Sequence, residues 1–441
     1  MKVGFLSLGC KTNSYDTETV LAMFEKRGYE IIRDHSYADI FIINTCSVTN
    51  IAERKSRQAV ERVLKLNPDA VIVVTGCYAQ VKPDEVKKLR NVAVVAGNRD
   101  RNRIVDMVEG YLHTREYKES VTDLTRNTVF EDIDIQNYKG RTRVQLKIQD
   151  GCNNFCSYCI IPYARGRICS KPVEKVLEQT RQMKMQGVKE IVLTGIHIAS
   201  YGRDIDDGKY TLTDLIEQIH HVTEGTDIRI RLGSLDPSIV TEEFARRISS
   251  LPRICPQFHL SLQSGSDTVL KRMNRHYTSE EFYQGVLFLR EYFDNPALTA
   301  DIIVGFPGET DEEFMQTLDF ANKVGFAKIH IFPYSRREGT VAAKMPDQIP
   351  HSIACEREKL LSDAEKRMRS AYIDSHIGKT AKVLFEEKKE VNGKTYGCGY
   401  TPEYIYVYVP LNDKNTNIEN SIFNIRLIEN RADFALGEFE D

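Results

Sequence analysis

No run of about 18 consecutive apolar residues occurs anywhere in this 441-residue chain, so no membrane-spanning helix is expected. An excess of one charge is lacking too. Sixty lysines and arginines stand against 63 aspartates and glutamates, a net of −3, which leaves no overall basic field to attract nucleic acid or acidic lipid. Any such contact must come from local patches. The opening "MKVGFLSLGCKTN" has too short an apolar stretch for a secretory signal, and a soluble, cytoplasmic protein is expected. In a reducing compartment ten cysteines do not suggest a disulfide framework; metal binding, catalysis or inert packing are the uses left. A chain of this length should divide into two to four domains.

The first 110 or so residues repeat one unit. "KVGFLSLGC", "ADIFIINTC" and "AVIVVTGC" are short β-rich runs, each followed by a helix-compatible stretch, and "NVAVVAGN" is a fourth run without a cysteine. Strands alternating with helices predict a doubly wound parallel sheet. Cys10, Cys46 and Cys77 fall at the C-terminal tips of their strands, the edge where ligands bind in open parallel sheets. Three thiols distant in sequence are thereby brought toward one place.

From 113 to 138 the pattern turns polar and loses its period, which predicts a linker. A second alternating series follows, with strands predicted at 143–149, 190–195, 228–234, 258–264, 299–305 and 329–335. Six βα units predict a partial (β/α)6 barrel whose chemistry sits at the C-terminal strand ends. A connecting helix is expected within 347–375, on a stripe of Ile353, Leu360, Leu361, Ala364 and Met368. The rest alternates apolar and polar residues, with "VNGK" as a hairpin turn, and predicts a small antiparallel β-barrel. The expected units are 1–112, the linker 113–138, the barrel 139–372 and the small barrel 373–441.

The most specific signal is "QDGCNNFCSYCIIP", a C-x3-C-x2-C array of Cys152, Cys156 and Cys159 just after the first barrel strand. A zinc site would want a second C-x2-C or a histidine pair nearby, and none follows. Three thiolates can instead hold three irons of a 4Fe-4S cluster and leave the fourth open. The array resembles that of the radical S-adenosylmethionine (radical-SAM) enzymes, in which the open iron chelates SAM and an electron cleaves it to a 5′-deoxyadenosyl radical. That resemblance implies SAM contacts at Tyr158, at Gly195 of "LTGIH", at Ser234, at Gln263 of "LSLQSGS", and at Ile303 and Gly305 of "DIIVGFPGET".

"LGCKTN", "NTCSVTN" and "TGCYAQ" resemble the methylthiotransferase branch of that superfamily, over essentially the full chain. The resemblance implies a second 4Fe-4S cluster on Cys10, Cys46 and Cys77, and an RNA-binding TRAM-like barrel at the C-terminus. It also implies two SAM molecules per turnover, an electron donor such as flavodoxin or ferredoxin, and tRNA as substrate through its anticodon loop. A monomer is expected. "GCKTN", "CNNFCSYCIIPYARG" and "HIFPYSRREGTVAAKM" are most similar to the members that act on threonylcarbamoyladenosine, whose carboxylate Lys11, Arg165, Arg336 or Arg337 could pair with. Isopentenyladenosine in tRNA, a ribosomal-protein aspartate, a non-catalytic Fe-S redox or regulatory protein, and a zinc-binding RNA module are the alternatives. Phosphate contacts are expected from "ERKSRQ", "GNRDRNR", "YKGRTRVQLK" and "YARGRICSK". The tail is no strong electrostatic clamp, with about 8 basic against about 11 acidic residues from 376 onward. Its tyrosines offer stacking faces. Cys169, Cys255, Cys355 and Cys398 are expected to be structural.

Overall fold

The computed structural model describes residues 1–34, 36–124, 129–133, 135, 137–138, 140–411 and 418–440. The predicted linker residues 125–128, 134 and 136, and Lys139 of the basic stretch at 138–147, lie outside the described residues.

Val71–Gly76 is buried along its whole length, because the sheet it belongs to is covered on both faces. Alternate side chains of its neighbour Ile40–Thr45 divide accordingly: Ile40 and Ile42 join one apolar cluster, Phe41 and Ile43 the other. The sheet has six strands, all parallel. The four predicted runs form its centre. Two short strands, Glu30–Ile31 and Lys118–Ser120, complete its edges. The second of these corrects the linker: the stretch expected to be featureless from 113 onward supplies the sheet's last strand.

All six predicted barrel strands form, as two three-stranded parallel sheets joined by the bridges Ile230–Ile254 and Leu235–Leu260. They are Arg143–Lys147, Glu190–Thr194, Arg229–Leu232, Gln257–Gln263, Ala297–Val304 and Lys328–Pro333. One large core lies between these strands and their helices, and Tyr15 and Ile135 join it from the N-terminal side. The N-terminal unit is therefore packed onto the barrel.

The connecting helix runs His351–Asp374. Its buried seam is Ala354, Arg357, Leu361, Ala364 and Glu365, whereas the predicted seam residue Leu360 is exposed. Beyond it, five strands close into a small barrel. Asn392 and Gly393 both have positive φ in the predicted hairpin turn, as a two-residue turn between twisted strands requires. The barrel is not wholly antiparallel: Tyr406–Pro410 pairs parallel with Ala435–Phe439, because closure brings the last strand alongside one running the same way.

This small barrel docks on the N-terminal end of the large one. Arg143 binds Glu190 at 2.8 Å and Glu386 of the small barrel at 2.6 Å. Arg231 donates to Glu190 Oε1 at 2.8 Å and to the Pro402 carbonyl at 2.9 Å, and lies 4.6 Å from the Tyr404 ring centroid. Tyr404 stacks on Tyr400 at 4.5 Å. A turn of the small barrel thus closes the large barrel's floor.

Candidate functional site

The three N-terminal thiols sit where neighbouring strands end. Strands Lys2–Ser7, Ile40–Thr45 and Val71–Gly76 are adjacent in the sheet, so Cys10, Cys46 and Cys77 follow three side-by-side tips. Cys10 caps the helix Lys11–Lys26, and Cys77 begins the short helix Cys77–Val81. Asn13 fixes the first tip by donating to the Leu8 carbonyl at 2.8 Å and the Thr45 carbonyl at 2.9 Å. Gly9 has φ +100°, and a Cβ there would lie 2.9 Å from Cys46 Sγ, so no other residue fits this turn. Burial pushes the Cys46 thiol up to about 12, with the neighbouring Cys77 and Cys10 thiols adding to it. Burial also raises Cys77, against the opposing pull of Arg165.

The second trio follows the first barrel strand, between the bridge at Gln149–Asp150 and the helix Ile161–Arg165. The Asn154 amide lies 3.5 Å from Cys152 Sγ and the Ile161 amide 3.4 Å from Cys159 Sγ. Burial raises Cys152 to about 11 and Cys159 to about 12. Arg275, which the sequence reading did not single out, donates to Cys156 Sγ at 3.3 Å and to Asp236 at 2.9 Å. "MNRHY" gave only a charged residue in a polar loop as a signal for it.

Among the described residues no three His, Cys, Asp or Glu side chains could hold a single metal ion. A four-iron cluster asks for something else: three thiolates on separate corners of a larger body, with donors to its sulfurs. The Cys152 trio meets that description in ligand type and in its ring of amide and guanidinium donors. Metal binding would deprotonate these raised thiols as it forms.

The expected SAM contacts gather at the same end of the barrel. Gly195 follows the second strand, Ser234 the third and Gly305 the fifth, while Gln263 ends the fourth. A Cβ on Gly195 would lie 2.8 Å from the Gln149 carbonyl, so backbone meets backbone beside the cysteine loop. Gln263 has φ +66°, an uncommon conformation for a side-chain-bearing residue, at a break in the strand register. Gly305 has φ +70°, and its amide donates to Glu309 at 2.7 Å. Tyr158 and Ile303 pack on one small apolar cluster of Val269, Met273, Phe306 and Ala342.

The four cations expected to meet the substrate carboxylate divide. Arg165 is fully buried: it donates to Asp16 at 2.8 Å, Asp150 at 3.2 Å and Asn13, and it faces Cys77. Arg337 is buried on Asn50 at 2.7 Å and on Glu53. Both are corrected from substrate cations to clamps between the N-terminal unit and the barrel, since their Nη groups are engaged inside the protein by Asp16, Asp150 and Asn13 and by Glu53 and Asn50. Arg336 is exposed and donates to the Ala343 carbonyl at 2.9 Å. Lys11 alone of the four has no hydrogen-bond or ion-pair partner among the described residues. It is exposed to solvent yet surrounded by protein: burial, then Arg231 and Arg143 of the barrel floor, hold it below the ordinary lysine range.

Several expected phosphate contacts also point inward. Arg101, Lys147, Arg165 and Lys171 are buried, the first three around Asp16 and the last on Asp132 at 2.6 Å. Arg54, Lys55 and Arg57 of "ERKSRQ" remain exposed. Cys169 accepts from Arg99 at 2.9 Å.

A family profile described as "Radical SAM superfamily" matches residues 146–321, and one described as "Uncharacterized protein family UPF0004" matches residues 2–97. The chain is 41% identical to a Bacillus subtilis protein named threonylcarbamoyladenosine tRNA methylthiotransferase MtaB, over 92% of this chain and 89% of that protein. It is 39% identical to the Aquifex aeolicus protein of the same name, over 90% of this chain and 95% of that one. A tRNA-2-methylthio-N(6)-dimethylallyladenosine synthase of Acetivibrio thermocellus is 34% identical over 88% and 82%. The structure of the radical S-adenosylmethionine methyltransferase TsrM from Kitasatospora setae superposes with a TM-score of 0.54 at 14% identity, over 75% of this chain and 72% of that one, a likeness of fold. No helix among the described residues is long and apolar enough to cross a membrane. With a 4Fe-4S cluster and SAM implied by the profile that covers its barrel, and two relatives aligned over nine-tenths of its length, this chain belongs to the radical-SAM methylthiotransferase family.

Proposed function

We propose that this protein inserts a methylthio group at carbon 2 of threonylcarbamoyladenosine in the anticodon loop of tRNA, using one 4Fe-4S cluster on Cys152, Cys156 and Cys159 and a second on Cys10, Cys46 and Cys77. The observation that carries the substrate choice is Lys11. It follows the first cysteine of the N-terminal trio, and it presents an unpaired ammonium to the barrel interior, where an isopentenyl group would want apolar walls. When bound, the clusters and SAM supply hydrogen-atom abstraction at an unactivated carbon together with the sulfur and methyl that replace the hydrogen.

The chain's own residues prepare the place. Arg99, Arg101, Lys147 and Arg165 are buried with Asp16, Asp150 and Glu131, four cations against three carboxylates. The surplus positive charge lies against Cys77 and Cys10, where thiolates bearing a cluster would balance it. Gly195, Gln263 and Gly305 bring backbone close at the strand ends, suited to a flat ligand. Arg54 and Lys55, exposed on the helix Asn50–Leu66 that follows Cys46, are suited to the phosphates of a splayed loop.

Mass spectrometry of tRNA nucleosides from cells with and without the gene tests this. Loss of the methylthio form of threonylcarbamoyladenosine on deletion is expected. Loss of the isopentenyl form, or no change, refutes the substrate assignment.

A further inference from the structure

The interior of a closed or partial barrel is ordinarily filled by side chains. Here one stretch of wall is left open. Along Lys328–Pro333 the outward residue Ile329 joins the core, whereas His330 and Phe332 face the lumen and are exposed, Phe332 by 46%. His330 has no hydrogen-bond partner among the described residues. Asp301 sits directly opposite it in register on the neighbouring strand. His259, one strand further, holds Thr299 Oγ1 at 2.9 Å through Nδ1 and Asp301 at 3.2 Å through Nε2, and its ring centre lies 5.7 Å from that of His330. Lys11, from the N-terminal unit, feels the charges of Arg231, Arg143 and Glu190 first and that of Asp301 after them, and its own charge acts on His330.

Two levels result. Phe332 offers an exposed aromatic face near the strand's C-terminal end, and His330 with Asp301 lies two residues deeper, about 6.6 Å along the strand. An adenine resting on Phe332 near the clusters, with its N6 arm directed down the barrel, would bring that arm to the polar level. Threonylcarbamoyl carries N–H and C=O groups, a hydroxyl and a carboxylate. An isopentenyl group carries none, and would bury Lys11 and His330 without partners and cover the His259–Asp301 pair, a discrimination of roughly tenfold or more.

We propose that Phe332, His330, the His259–Asp301 pair and Lys11 form the pocket that reads the substrate base and its N6 substituent. Phe332 stacks the adenine, Asp301 and His330 hydrogen-bond the carbamoyl and hydroxyl groups, and Lys11 pairs with the carboxylate. This assignment rests on threonylcarbamoyladenosine being the substrate.

The test measures binding of three anticodon stem-loop RNAs to the reconstituted full-length protein, by fluorescence anisotropy, with threonylcarbamoyladenosine, unmodified adenosine or isopentenyladenosine at the target position. The wild type should prefer the first by about tenfold or more. Lys11→Met, Asp301→Asn and His330→Gln should each reduce that preference to about twofold; Phe332→Ala should weaken all three RNAs. Asp301→Asn and His330→Gln change side-chain volume little, and iron content with the thermal midpoint verifies their fold. Equal wild-type affinity for all three RNAs, or an undiminished preference in Asp301→Asn and His330→Gln, overturns the pocket. A wild-type preference for the isopentenyl RNA overturns the substrate reading instead.

Discussion

Replacing Arg165 with methionine should loosen the joint between the N-terminal unit and the barrel. The side chain is fully buried, and it donates to Asp16 at 2.8 Å and to Asp150 at 3.2 Å from a single Nη1, with Nη2 on Asn13. Each such charge-assisted contact contributes ~1.5–3 kcal/mol, so the pair amounts to ~3–6 kcal/mol. That agrees with the ~3–5 kcal/mol expected when one partner of a buried ion pair is removed. Lys147 and Arg101 still face Asp16, which places the loss toward the lower half of that range. Methionine keeps most of the volume, so cavity formation adds little. At ~2 °C per kcal/mol the midpoint of the first thermal transition should fall by about 6–8 °C. Arg165→Lys, which retains the charge but not the fork, should recover part of it. Differential scanning calorimetry of the iron-free protein isolates the effect from cluster loss. A fall below about 2 °C for Arg165→Met would refute the view that this guanidinium clamps the two units.

Cys77→Ala should lose the N-terminal cluster: iron content drops to about half, methylthio transfer is abolished, and cleavage of SAM at the Cys152 trio persists. Full iron and full activity would return Cys77 to the role of a packed core thiol. Gly305→Ala forces a side chain into a φ of +70°, with its Cβ 2.7 Å from that of Ala354 on the long helix, so about 1–3 kcal/mol of stability and some affinity for SAM should be lost. Isothermal titration with SAM and thermal melts check this together. Burial alone would raise Glu190, but Arg231, Arg143 and Arg229 hold it at about 2. Its folded value lies below the unfolded one near 4.3, so its contribution of ~3 kcal/mol is present above that value and fades as pH falls toward 2. Limited proteolysis across pH 5 to 3 should show the small barrel releasing first, and Glu190→Gln should remove that dependence.

The fold was legible wherever chemistry repeats along the chain. Six barrel strands could be read because each is a β-rich run followed by an amphipathic stretch, and the three thiols of the N-terminal sheet because each ends such a run. Glu30–Ile31 and Lys118–Ser120 are too short to show a period, so the sheet's edges could not be read. Strand closure in the small barrel depends on which ends meet, and alternation does not encode it. The site was legible in its ligands and not in its cations. Arg165 and Asp16 are 149 residues apart, and nothing local distinguishes a buried guanidinium from a solvated one. Lys11, Arg165 and Arg337 carry the same charge in the sequence, and only the fold separates the one left free from the two already engaged. His330 and Phe332 went unread for a related reason: a strand facing an empty lumen has the same alternation as one facing solvent.

Beside their bonds to Glu190, Arg231 and Arg143 give hydrogen bonds and cation–π contacts to a turn that lies more than 160 residues further along the chain, in the C-terminal barrel. That barrel is therefore the stopper of the catalytic one as well as its tail. Cutting the chain after Asp374 would uncover the floor and leave two guanidiniums with Glu190 but without their partners in the small barrel, so a truncated protein that failed to modify tRNA would say little about RNA binding by the removed part. Point changes on the outer tyrosines, such as Tyr408 beside Phe434, keep the stopper seated and ask the RNA question alone.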